Sequence, residues 1–268
     1  RAATAFAESC GVDIGSLGRI TEGKGEFLYF EGSKPGAPTP SLLAAIVQTA
    51  LDALPIPKRM RWGASQAEFV RPVHWVVLRF GDEVLDATLL DTRAGSTTRG
   101  HRFHAPGELS LPTPADYADV LRSSGHVIAH FNERRERIRE QVESAALRLG
   151  GRAVFDDALL DEVTALVEWP VPVEGRFDDE FLELPREVLI STLQEHQRYF
   201  PVEDAAGKLT PYFITISNID SRYPSRVREG NERVVRPRLS DAAFFQRQDR
   251  RAPLRGWRDG LDRVTFQA

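Results

Sequence analysis

The chain has 268 residues, 35 Lys and Arg against 39 Asp and Glu, a formal charge of −4 and 41% hydrophobic residues. These values describe a globular chain with enough apolar material for a sizeable core, and they exclude a disordered or low-complexity polymer. The longest charge-free stretch, 35–51, carries three prolines and is too short to cross a bilayer; the single Cys10 excludes a disulfide framework and a cysteine-based zinc site.

The elements can be read in chain order. Pro40-Ser41 opens a helix that runs to Leu54, with Leu42, Leu43, Ile46, Val47, Ala50 and Leu51 at helical spacing and Pro55 as the stop. Val73–Phe80 is an almost unbroken apolar run that reads as a well-buried strand; Gly81-Asp82 is turn chemistry, and Val84–Leu90 returns as its hairpin partner. Thr113-Pro114 starts a helix ending near Arg122. His126–His130 reads as a short strand, and Asn132 as the cap of a long charged helix that Gly150-Gly151 terminates. A helix over Asp157–Val167 is followed by Val171–Gly175, an extended segment whose Pro172 suits a sheet edge.

Pro185–Gln197 is helical, and Arg198–Val202 and Tyr212–Ser217 bracket a turn as a hairpin. Gly230 to about Arg250 reads as a long helix with Pro237 inside it, where a kink or a break is expected. Strands and helices interleave without a βαβ rhythm, so the class is α+β with mixed or mainly antiparallel sheets and flanking helices. The division read from the chain is 1–110 and 111–268, the second portion ending in a basic helical tract, with one continuous module as the alternative. The absence of a visible signal peptide fits a cytoplasmic setting. The start at Arg1, with Met60 the one methionine, reads as a piece of a longer protein.

The charge is unevenly spread. From Arg222 to Arg263 there are 12 Arg and 6 acids, a local excess of +6, while the remainder carries 23 bases and 33 acids, or −10. Such a tract suits phosphate contact, and equally a solvated, salt-bridged helix face. Gly23-Lys24-Gly25 lacks the spacing of a phosphate loop and reads as a turn. Arg99, His101, Arg102 and His104 crowd into a few residues; as strand residues His101 and His104 would point to opposite faces, so they make a poor metal pair, and an anion-facing patch or a hydrogen-bonded loop fits better. Glu195-His196-Gln197-Arg198 ends a helix, where His196 and Arg198 meet the negative end of the dipole. Arg61-Trp62 and Phe69-Val70-Arg71-Pro72-Val73-His74-Trp75 pair guanidinium with aromatic rings, an arrangement used both for stacking on bases and for ordinary packing.

Taken in order, Met60-Arg61-Trp62-Gly63, Phe69–Trp75, Thr98-Arg99-Gly100-His101-Arg102-Phe103-His104, Glu162–Pro170, Glu195–Phe200 and Gly230–Ala242 resemble the beta subunit of bacterial heterotetrameric glycyl-tRNA synthetase, over nearly the whole chain. The resemblance implies an alpha2-beta2 complex. In it the alpha subunit carries the aminoacylation site and uses ATP, magnesium and glycine, and the beta subunit supplies recognition of glycine tRNA. It also implies a fold similar to the editing-type module of the phenylalanyl-tRNA synthetase beta subunit. No catalytic residue, metal or cofactor is expected in this piece. The expected RNA-facing residues are Arg226, Arg228, Arg233, Arg236 and Arg238 on the basic tract, with Arg99, His101, Arg102, His196 and Arg198; Glu232 and Asp241 are expected to pair with some of the arginines. Two other functions stay open. One is an editing-type hydrolase of aminoacyl-tRNA, with His101, His104 or His196 as base; the other is a module that only docks the alpha subunit.

Overall fold

The computed structural model describes residues 2–23, 25–33, 35–261 and 264–265. Lys24 of the first glycine turn and residues 262 and 263 of the basic tract lie outside the described residues. In chain order the elements are α1 (Ala2–Cys10), β1 (Gly18–Glu22), β2 (Gly25–Tyr29), α2 (Thr39–Asp52), β3 (Val76–Val77), β4 (Arg79–Phe80), β5 (Glu83–Val84), β6 (Thr88–Leu89), β7 (Thr92–Gly95), β8 (Thr97–Arg99) and β9 (Glu108–Ser110). There follow α3 (Tyr117–Ser123), α4 (Phe131–Arg148), β10 (Arg152–Ala153), α5 (Asp157–Leu166), β11 (Val171–Arg176), α6 (Arg186–Gln197), β12 (Phe200–Glu203), β13 (Leu209–Ser217), α7 (Pro224–Asp249) and α8 (Leu254–Leu261). The chain divides into two units: residues up to Pro72 with Ala87–Asp91, and Val73–Asp86 with Thr92 onward.

In the first unit β1 and β2 form an antiparallel hairpin, registered from Gly18↔Tyr29 to Glu22↔Gly25. The predicted second helix is present as α2. Its end is held by Arg59, whose guanidinium donates to the carbonyls of Asp52 and Leu54, satisfying acceptors that a helix terminus leaves open.

The second unit is organised by an antiparallel sheet in the order β10-β12-β13-β11. Alternation along its strands sends side chains to two cores. On one face Phe200, Val202 and Ile214 pack with Ile138, Val142, Ala145 and Ala146 of α4 and Leu159, Leu160 and Val163 of α5. The α4 residues recur at i, i+4, i+7 and i+8, the stripe an otherwise charged helix needs to bury one side. On the other face Tyr199, Leu209 and Phe213 meet Leu189 and Leu193 of α6 and Val235 and Leu239 of α7. The class is therefore α+β, as expected, with this sheet between two helical layers. β11 is an edge strand, and the β12–β13 hairpin falls where its turn residues place it.

At β12, Glu203 is buried and accepts from Arg186 Nη2 at 2.7 Å and Arg152 Nε at 2.6 Å. These contacts, the Arg186 hydrogen bond first, hold its carboxyl below the usual carboxylate range.

Three expectations change. Val73–Phe80 is not one buried strand: β3 pairs in parallel with β7, and β4 pairs with β5 in a two-residue hairpin. The run breaks at Leu78, between β3 and β4; Arg79 stays paired with Val84, and its guanidinium donates to the carbonyls of Leu111, Pro112 and Asp82. His126–His130 is not a strand either. His126 has φ 52, a left-handed conformation that breaks extension, and His130 rather than Asn132 is the residue before α4. Finally, α7 starts at Pro224, six residues before Gly230, and runs unbroken through Pro237. Proline lacks the N–H that would bond the Arg233 carbonyl; on the exposed side of the helix, water can serve that carbonyl instead.

Candidate nucleic-acid interface

Helix α7 is 26 residues long, about 39 Å at 1.5 Å per residue, and only Val235 and Leu239 are fully buried. A few polar contacts fix its inner side. The Tyr199 hydroxyl donates to Asn231 Oδ1 at 2.6 Å, and the Asn231 amide donates to the Val227 carbonyl at 2.8 Å. Burial pushes the Tyr199 phenol up to about 12, so it remains a donor throughout the physiological range. Glu232 Oε1 accepts the backbone N–H of Arg176 at 3.0 Å, and Arg236 Nε donates to Asp178 at 2.9 Å. Glu232 thus anchors the helix to the sheet instead of pairing with a helix arginine. Among the described residues, no ion pair joins Asp241 to the α7 arginines either.

With its inner side fixed, the helical period decides what the outer side presents. Arg226, Arg233 and Arg247 fall within roughly 60° of arc, opposite Val235, with Glu229 among them, while Arg236 sits at the edge of this face toward Asp178. Arg226 lies over the Tyr223 ring, 5.1 Å from its centroid. Among the described residues no carboxylate pairs with Arg226, Arg233 or Arg247. The other two candidates leave this face. Arg228 lines a groove beside Val171–Glu174 and Asp220, and Arg238 lies on a flank, also without a carboxylate partner among the described residues. Arg247 was absent from the sequence-based set because nothing in the sequence distinguished it from the rest of the tract until the buried side of the helix was known.

The histidines form a second cluster. His101 and His104 lie on a turn just beyond β8, not on a strand, so their rings approach to 4.6 Å instead of facing apart. His101 is 1% exposed. Its Nε2–H donates to the Asn218 carbonyl at 2.7 Å, while Nδ1 accepts the backbone N–H groups of Phe103 and His104 at 3.2 and 3.3 Å. Both nitrogens are spent, Nε2 as donor and Nδ1 as acceptor, which leaves neither free toward a metal or a substrate. His104 Nε2 accepts the backbone N–H of Asp220 at 3.0 Å, and its ring stacks on His126 at 5.3 Å. Desolvation, and then the neighbouring His101 and His126, hold His104 below its usual value of 6.5, against a smaller opposing pull from Asp220.

His126 meets Trp169 edge-on at 5.2 Å, and Arg137 lies over that indole at 5.1 Å. Asn218 joins the cluster to the sheet, its Oδ1 accepting the N–H groups of Glu168 and Trp169. Sequence reading missed Asn218; its position just beyond a strand marked only a turn.

The remaining candidates are spread over other surfaces. Arg99 pairs with Glu108 at 3.0 Å and lies over Trp75, and Arg102 is exposed without a carboxylate partner among the described residues. His196 is exposed in the last turn of α6. Arg198, left-handed at φ 60, donates to the Glu195 carbonyl and pairs with Glu162 at 2.6 Å, so it closes the helix as the dipole argument expects. Among the described residues no group of three or more His, Cys, Asp or Glu could hold a metal ion.

Comparison with known proteins brings these parts together. The chain matches the family described as glycyl-tRNA synthetase beta subunit over residues 1–268. It is 51% identical over 267 residues to the glycine–tRNA ligase beta subunit of Hahella chejuensis, 52% identical over 268 residues to that of Marinobacter nauticus, and 50% identical over 268 residues to that of Stutzerimonas stutzeri. These alignments cover 100% of this chain but 39%, 39% and 38% of the respective relatives, so the chain spans about two fifths of the proteins it matches. On this agreement across its whole length, the chain belongs to the glycyl-tRNA synthetase beta subunit family.

Proposed function

We propose that this chain is a non-catalytic, tRNA-binding part of a glycine–tRNA ligase beta subunit, and that it supports attachment of glycine to glycine tRNA by an alpha subunit. In this reading the alpha subunit carries the ATP, magnesium and glycine chemistry, the complex is an alpha2-beta2 heterotetramer, and the setting is the cytoplasm. No helix among the described residues is long and apolar enough to cross a membrane. The observation that carries the reading is the outer face of α7, where Arg226, Arg233 and Arg247 stand exposed without paired carboxylates among the described residues, on a helix whose inner side is fixed. Unpaired guanidinium groups along a rigid helix suit phosphate oxygens, and each such pairing would release counterions from the RNA.

The test uses the complete ligase with Arg226→Glu and Arg233→Glu in its beta subunit. Affinity for glycine tRNA should fall, and the slope of log K against log salt should shrink by about 0.7–0.9 for each phosphate that the variant no longer neutralises. Unchanged affinity and slope would overturn the reading.

The fold kinship with the editing-type module of the phenylalanyl-tRNA synthetase beta subunit belongs to this proposal as well, supported by the shared α+β class. His101 is poorly placed to act as an editing base, because both its nitrogens are engaged in the fold. Glycine is also the smallest amino acid, so its site can reject larger ones by size. Hydrolysis of mischarged glycine tRNA that is lost on His101→Ala, in a variant that stays folded, would reverse this choice. A docking role has one observation in its favour, the exposed Phe244 and Phe245 toward the end of α7. Co-purification with the isolated alpha subunit, lost on Phe244→Ser and Phe245→Ser, would support it.

A further inference from the structure

Within the second unit, away from α7, lies a cleft of about 480 Å³ lined by Trp75, Leu78, Arg79, Thr98, Leu111 and Tyr117 among others. Two of its walls are aromatic and open to solvent, Trp75 and Tyr117 each being 43% exposed.

The indole is held firmly. Trp75 Nε1 donates to Thr98 Oγ1 at 3.2 Å, and the Arg99 guanidinium lies over the ring, 5.8 Å from its centroid. An aromatic ring fixed by a hydrogen bond at its edge and backed by a cation is a ready stacking platform, because little freedom remains to be lost when a ligand arrives. The cleft is also cationic. Arg79 lines it and is held by the carbonyls of Leu111, Pro112 and Asp82, without a carboxylate partner among the described residues. Among the described residues no acidic side chain lines the cleft. Carbonyl oxygens orient a guanidinium without cancelling its charge, so Arg79 keeps its positive charge at the cleft, while Arg99 behind the indole is paired with Glu108.

We propose that the Trp75–Tyr117 cleft takes one unpaired nucleotide of RNA, its base stacked on the indole and its phosphate drawn by Arg79. This deepens the tRNA-binding reading and rests on it. An acidic peptide would satisfy the charge but leave the ring faces uncovered, and an apolar segment would do the reverse; a nucleotide supplies both a π face and an anion. The site selects unpaired residues, because a base inside a duplex has no free face to offer.

The test again uses the complete ligase and glycine tRNA. Trp75→Leu and Tyr117→Leu should each weaken tRNA binding by about 5- to 150-fold, the range for loss of one stacked base, while leaving the salt slope unchanged. Trp75→Phe, which keeps a ring, should recover most of the affinity. If the leucine variants bind like the parent while Arg226→Glu and Arg233→Glu weaken binding, the cleft proposal fails and the α7 reading stands. If neither set changes affinity, both fail. A benzophenone photocrosslinker at position 117 gives a readout that does not depend on affinity. Attachment to an unpaired tRNA nucleotide is expected; attachment only to protein, the alpha subunit included, overturns the proposal.

Discussion

Gly175→Ala offers a direct check on how the sheet supports α7. Gly175 sits in β11 opposite Phe213 of β13. A methyl group there would overlap Phe213 Cζ and come within 2.7 and 2.8 Å of its two Cε atoms. The ring has nowhere to go. Phe213 is fully buried and stacks on Tyr199 at 4.6 Å with an interplanar angle of 8°, and Tyr199 is tied in turn to Asn231 of α7. Overpacking a filled core costs about 1–3 kcal/mol, and an approach this close against a ring backed by a second ring belongs at the upper end, about 3 kcal/mol. Urea unfolding followed by near-ultraviolet circular dichroism measures it as a shift in midpoint at constant slope. Combining Gly175→Ala with Phe213→Leu, which removes the clashing ring edge, should cost clearly less than the sum of the two single changes. A Gly175→Ala loss below about 0.5 kcal/mol would refute the view that sheet, stacked rings and α7 form one rigid packing unit.

Other expectations concern charge and capping. Glu203→Gln should destabilise the chain by about 1–2 kcal/mol at neutral pH, a modest figure because both partner guanidinium groups reach solvent. The Glu203 carboxyl is held low in the fold, so its contribution is complete above the ordinary value of 4.5 and is lost as pH falls toward the depressed one; the parent's acid-side slope in urea midpoint should be reduced in the variant. His104 is also held low in the fold, so it favours the native state above its ordinary 6.5 and loses that contribution as pH falls below it; stability profiles between about pH 7 and 5 should flatten in His104→Gln. Asp156 accepts the Leu159 N–H at 2.8 Å as the cap of α5, and Asp156→Ala should cost about 1 kcal/mol in thermal or urea unfolding.

The parts of the fold legible in sequence are those where one local signal decides the outcome. Gly150, at φ 78, ends α4 where its lack of a side chain allows the left-handed turn. The β12–β13 hairpin follows from its turn residues, and Pro172 marks β11 as an edge. Legibility fails where a distant partner overrides the local pattern. Val73–Phe80 has the composition of a buried strand, but Val76–Val77 pairs with β7 while Arg79–Phe80 pairs with β5. The face that a helix buries is likewise set by its neighbours. The six arginines of α7 are readable as a basic tract, but which of them face outward depends on Val235, Leu239 and Asn231 meeting the sheet and α6. His101 was singled out for its chemistry, and the fold uses that same chemistry to tie a turn to Asn218.

The proposed contact between the outer face of α7 and tRNA is tested most directly by a chemical footprint of glycine tRNA on the intact alpha–beta ligase, resolved to individual arginines. Bound tRNA should protect Arg226, Arg233 and Arg247 from modification, while Arg236, engaged with Asp178, should change less. Unchanged reactivity of those three arginines in a saturated complex, with protection confined to other surfaces, would contradict it.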